Sequence, residues 1–184
     1  MRKAFLGIMV LVCLLPVIMG CASVTPTLKK DYKPNGEEGF IYGRFKMIQS
    51  VSKNYIGLVI ENDVGGKYTI KLSPDSVGQY QIIAVVPGKY KITQKIYIYT
   101  AGDIAGSEAF VSPENYSAEF TIEKGDAIYI GDFVGETALT QMSMASKTFN
   151  FKLNLADNNQ EVTNTRMISS YPFFSKLNIK TVFN

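Results

Sequence analysis

QYQIIAVVPGKYKI, residues 79–92, carries apolar residues at every second position from Tyr80 to Val86, stops at Pro87-Gly88, and then alternates again. Tyr80, Ile82, Ala84 and Val86 fall on one side of an extended chain, where successive side chains point to opposite faces. Proline presets φ and glycine accepts φ > 0, so Pro87-Gly88 is expected to form a type II turn between two strands.

The same period of two recurs outward from this point. Ile56, Leu58 and Ile60 share a face, as do Tyr68, Ile70 and Leu72, and Ile92, Ile96 and Ile98. Phe120 and Ile122, then Ile128 and Ile130, then Phe149, Phe151, Leu153 and Leu155 repeat the pattern. These segments are rich in β-branched and aromatic residues and are bounded by turn residues such as Gly65-Gly66 and Lys124-Gly125-Asp126. The expected fold is all-β: an antiparallel β-sandwich, transthyretin-like or Ig-like, of about seven to eight strands. Residues 101–116 and 135–146 break the rhythm and read as long loops. Residues 157–170 open with capping residues and stop before Pro172, so a short helix is expected near the C-terminus.

The Pro87-Gly88-Lys89-Tyr90 signature between alternating strands resembles the carboxypeptidase-regulatory-like and prealbumin-like β-sandwich group. Glu123 to Gly131 resembles the later strand pair of envelope lipoproteins of this type, with Ile128 where those carry the first of two tyrosines. The resemblance covers residues 40–135. It implies a sandwich of about seven strands that is accessory and noncatalytic, and, in some lipoproteins with such domains, one that serves secretion machines.

The N-terminus carries an address. Met1-Arg2-Lys3 is a basic start, Ala4 to Leu15 an apolar run, and Ile18-Met19-Gly20-Cys21 closes it. That is the order of a secretory signal. The run is interrupted by Gly7 and Pro16 and falls short of the roughly 20 apolar residues of a spanning helix. Ile18 to Cys21 resembles the lipobox of bacterial lipoproteins, which implies cleavage before Cys21 and lipidation of its thiol. Multiple acyl chains would anchor the protein stably to a membrane. Ala22 rather than Asp after the cysteine implies, by resemblance to Gram-negative sorting, the outer membrane, with the domain periplasmic or surface-facing. The expected organisation is a signal peptide over residues 1–20, the lipidated cysteine and a flexible tether over 21–39, and the β-sandwich over 40–184.

The 184-residue chain has no histidine, two cysteines and a formal charge of +3. Without imidazole there is no Ser-His-Asp or Cys-His triad and no HExxH zinc site. Loss of Cys13 with the signal and acylation of Cys21 leave no free thiol for catalysis or metal binding. Removing Arg2 and Lys3 from +3 leaves +1, too near balance for nucleic-acid binding. The glycines do not form a GxGxxG or P-loop pattern, and Asp157 to Glu161 lacks the EF-hand order. No cofactor, no metal and no enzymatic activity are expected. Tyr97 and Tyr99 share a face with Lys95 and form the candidate binding surface, since aromatics on a sheet can stack on sugars or dock a partner. Two functions follow: a noncatalytic interaction or scaffold domain that binds an envelope protein, or a small-ligand or glycan-binding lipoprotein.

Overall fold

The computed structural model describes residues 24–49, 55–72, 79–101, 104–111, 119–142, 147–156 and 159–182. They form two five-stranded sheets. The strands are β1 (Gly39–Gln49), β2 (Tyr55–Asn62), β3 (Lys67–Leu72), β4 (Gln79–Val85), β5 (Gly88–Ala101), β6 (Ile104–Val111), β7 (Glu119–Ile122), β8 (Asp126–Met142), β9 (Lys147–Leu155) and β10 (Asn178–Thr181). Helix α1 (Gln160–Ser170) and a 3-10 turn over Pro172–Lys176 precede β10. The all-β sandwich and the C-terminal helix agree with the sequence reading.

Each sheet is organised around one long strand. In the first sheet, β8 pairs with β1 on one edge and divides its other edge between β10 and β9. In the second, β5 pairs with β2 on one edge and divides the other between β7 and β6. β3 closes the second sheet beside β2, and β4 closes the first beside β1. The first sheet is mixed, because β8 runs parallel to both β1 and β10.

The core between the sheets takes Ile41 and Phe45 from β1, Ile83 and Val85 from β4, Ile128, Ile130 and Phe133 from β8, and Ile56, Leu58, Ile60, Ile70, Leu72, Tyr90 and Ile92 from the second sheet. Phe45 stacks on Phe133 with ring centroids 5.7 Å apart. A second apolar cluster lies on the outer side of the first sheet, where Phe40, Tyr42, Ile82, Ala127 and Tyr129 meet Met167, Tyr171 and Phe174 of the C-terminal segment. The first sheet is therefore buried on both faces, and the molecule has three layers.

That third layer corrects the phase read for β4. Ile82, with Tyr80 and Ala84 beside it, faces the C-terminal layer, and it is Ile83 and Val85 that enter the sandwich core. A run apolar on both phases is what a strand covered on both faces requires. The Pro87-Gly88 expectation is corrected too. β4 and β5 lie in different sheets, and Gly88 does not take a positive φ. The dipeptide carries the chain from one sheet to the other, so the hairpin geometry that would need left-handed glycine is absent.

In β5, Ile60 pairs with Ile92 but Val59 pairs with Gln94, so Thr93 is an extra residue. This bulge reverses the phase. Ile92 lies in the inter-sheet core, whereas Ile96 is opposite Gly57 on the outer side of the second sheet. They do not share a face. The two segments read as long loops are largely strand. Residues 104–111 form β6 against β5, and β8 continues to Met142 against β9. Small and polar residues such as Ala105, Gly106 and Ser107 hide the period of two, and pairing with a long neighbour supplies the order that local propensity lacks.

Candidate functional site

Two polar assemblies tie the layers together. The first lies between β8 and α1. At the β1–β8 ladder, Tyr42 pairs with Tyr129 but Arg44 with Asp132, so β8 carries one residue more than β1. Gly131 takes φ +115° at this bulge, and a Cβ on the facing Gly43 would stand 2.4 Å from its carbonyl oxygen. The bulge turns Asp132 to the outer side, beneath the helix. There the Thr163 hydroxyl donates to Oδ1 of Asp132 over 3.1 Å. Tyr42 donates to Oδ1 of Asn164 over 2.5 Å. Arg44 lies 5.9 Å from the centroid of Tyr80.

Burial is the main force on Asp132 and raises its pKa. The hydrogen bonds from Tyr129 and Thr163 and the charge of Arg44 pull the other way without cancelling it. Burial likewise pushes the phenols of Tyr42 and Tyr129 well above their ordinary value. These hydroxyls remain neutral donors. The assembly fastens α1 to the sheet and presents no activated nucleophile.

The second assembly involves residues 24–38, expected to be a flexible tether. They lie on the body. The Thr25 amide donates to the Thr69 carbonyl over 2.8 Å, and the Thr69 amide to the Thr25 hydroxyl over 3.0 Å. The Leu28 amide donates to the Ile82 carbonyl over 2.8 Å, and the Ile82 amide to the Thr27 hydroxyl over 3.0 Å. Thr69 belongs to β3 and Ile82 to β4, the closing strands of the two sheets. The segment thus crosses from one sheet edge to the other, where Gln81 also bridges to the Lys71 carbonyl over 2.6 Å. The Tyr171 hydroxyl then donates to the Leu28 carbonyl over 2.8 Å, tying the segment to the third layer.

Further on, Glu38 accepts from the Tyr32 hydroxyl and from the Asn35 amide. Its hydrogen bond to Tyr32, with burial adding to it, pushes that phenol up to about 12. Glu37 pairs with Lys124. Gly125 donates its amide to the Glu38 carbonyl over 2.9 Å.

Asp126 closes the opposite end of the same turn. It is 2% exposed and accepts from the Glu123 amide, the Asn178 amide group and Lys180 at 2.8, 2.8 and 2.7 Å. Burial alone would raise its pKa. The Lys180, Glu123 and Asn178 contacts outweigh that and hold it below the ordinary carboxylate value.

Of the residues singled out from sequence, Cys21 lies outside the described residues. Lys95, Tyr97 and Tyr99 sit on β5. Lys95 is in register with Leu58 and Tyr97 with Ile56, while Tyr99 pairs with Gly106 of β6. Directly opposed residues share a face, and Leu58, opposite Lys95, is fully buried in the sandwich core. Lys95 is half-buried, and burial lowers its pKa. The side chains of Tyr97 and Tyr99 lie outside the described residues. Glu61 pairs with Lys67 at 3.1 Å, and Asp157 and Asn158 lie outside the described residues.

Among the described residues no group of three or more His, Cys, Asp or Glu could hold a metal ion, and no helix is long and apolar enough to cross a membrane. Sequence reasoning missed Asp126 and Asp132. The available signal was a carboxylate at each end of the apolar run from Ala127 to Gly131, where an acid on a buried strand requires a partner.

No protein-family model matches the chain, and no curated protein matches it. Among solved structures it is similar to a candidate cell adhesion protein from Bacteroides ovatus, at 8% identity and a TM-score of 0.26. The match covers 64% of this chain and 45% of that one, so the chain spans less than half of the matched structure.

Proposed function

We propose that the chain is a lipoprotein of the bacterial outer membrane, anchored through Cys21, whose domain is a noncatalytic module that binds an envelope protein. The observation that carries this reading is the junction of two features. The lipobox-like Ile18-Met19-Gly20-Cys21 ends three residues before Val24, and from Thr25 the chain is already bonded to the β3 and β4 edges. A thiol acylated at that point would hold a rigid three-layer body at the membrane. The polar clusters within that body are spent on fastening, Asp132 to α1 and Asp126 to β10.

The first test is the anchor. The mature wild-type protein is expected in the membrane fraction with an acylated N-terminal cysteine by mass spectrometry, and Cys21→Ser in the aqueous fraction. Equal membrane recovery of the two proteins would sink the anchoring. The second is the partner: crosslinking of the lipidated protein in native envelope should recover one envelope protein in stoichiometric amount.

A further inference from the structure

We infer that residues 24–38 are a docking strap that holds the β3 edge of the domain close to a lipid surface. This rests on the lipidation of Cys21 proposed above. A tether of about 18 residues would let the domain wander tens of Å from its anchor. The hydrogen bonds at Thr25, Thr27 and Leu28 remove that freedom. Only Ala22, Ser23 and Val24 lie between Cys21 and Thr25, so four Cα–Cα steps separate the acylated residue from a fixed point on the body, a reach of at most about 14 Å.

The fixed point also sets orientation. Thr25 is bonded to Thr69, on the edge strand of the second sheet. The strap then leads away, past Ile82, to Leu28 and the Tyr171 hydroxyl in the third layer. The β3 edge is therefore the end of the strap nearest the anchor, and α1 lies on the other side of the first sheet. With sheets packed about 10 Å apart, α1 lies beyond the first sheet and so at least one layer farther than β3 from the point fixed at Thr25. The occupant beside the β3 edge is the membrane itself, and α1 is the layer farther from it.

The threonines are the chemistry of the strap. In both places a side-chain hydroxyl accepts the edge-strand amide while a strap amide donates to the same residue's carbonyl. The strap thereby takes up the outward backbone groups of one residue on each edge, Thr69 and Ile82, at sites that would otherwise offer a template for pairing.

The test uses the mature chain with its single thiol, Cys21, coupled to a maleimide phospholipid in nanodiscs that carry a gadolinium-chelating lipid. Chemical coupling separates this inference from the question of whether cells lipidate Cys21. Amides of Lys67–Leu72 are expected to relax at least about threefold faster than those of Gln160–Ser170, given the short reach and the intervening layers. Inserting about ten Gly and Ser residues between Cys21 and Val24 should erase the difference by restoring a free tether. In hydrogen exchange, the Thr69 and Ile82 amides should be protected, and should lose protection in the Thr25→Ala, Thr27→Ala double variant. Equal relaxation of β3 and α1 in the unextended protein overturns the orientation. Unprotected Thr69 and Ile82 amides in the wild-type chain overturn the strap.

Discussion

Tyr90 shows how one side chain can hold a connection between layers. Its hydroxyl donates to the Val86 carbonyl, four residues back across Pro87-Gly88, over 2.5 Å. It also accepts from Nδ2 of Asn62 over 3.3 Å, and the Asn62 Oδ1 in turn accepts the Gly66 amide of the β2–β3 turn. A tyrosine hydroxyl bonded to a backbone carbonyl a few residues upstream has the local geometry of a tyrosine corner. The ring is buried on Phe120 at 6.0 Å, so Tyr90→Phe keeps the packing and removes only the hydroxyl. The expected loss is about 1–2 kcal/mol in chemical denaturation, with an unchanged m-value. An unaltered midpoint would show that the corner contributes nothing. Asp126 and Asp132 make opposite predictions with pH. The folded pKa of Asp126 lies below its unfolded value, so its stabilisation is present above the unfolded pKa and disappears as pH falls through the folded one. Asp126→Asn should therefore lower Tm at neutral pH and approach wild type in acid. The folded pKa of Asp132 is raised, so its cost appears as pH rises from the unfolded value through the folded one. Asp132→Asn should gain Tm relative to wild type over that interval. Parallel Tm–pH profiles for the two variants would refute both assignments.

At the scale of elements, bulges decide which side chains meet. The extra residue in β8 turns Asp132 toward Thr163, and the extra residue in β5 turns Ile96 away from the core that holds Ile92. The β8 bulge depends on a close passage of Gly43 beside Gly131. A methyl group on Gly43 would meet backbone, which cannot rotate away. Gly43→Ala is expected to cost about 1–3 kcal/mol as overpacking and to weaken the docking of α1. Thermal melts with hydrogen exchange across Gln160–Ser170 would check both, and an alanine variant of wild-type stability would mean that the passage is loose. Helix α1 also explains why its sequence signal is weak. The residues it turns inward are Thr163, Asn164 and Met167, followed by Tyr171. Only one of the three within the helix is a large apolar residue, so capping residues and Pro172, more than periodicity, mark it in the sequence.

At the scale of the whole molecule, strands such as Ile56 to Ile60 and Tyr68 to Leu72 were legible because one face of each is buried and alternation follows directly. β4 was legible as a strand but not in phase, because a third layer buries its other face as well. β6 and the far half of β8 were not legible, since their pairing partners, rather than their own composition, make them extended. Of the candidate sites, Cys21 rests on sequence alone, and the register of Lys95 and Tyr97 opposite buried residues became visible only once the β5 bulge was located. By itself the sequence determined the all-β class, most strand positions and the C-terminal helix, all of which reside in local order and spacing. Only the tertiary structure decided which sheet each strand joins, that a third layer covers one sheet, and that residues 24–38 are bound instead of free. Those outcomes depend on contacts such as Thr25 with Thr69 and Thr163 with Asp132, between residues far apart in the chain, and no local pattern encodes where such partners will meet.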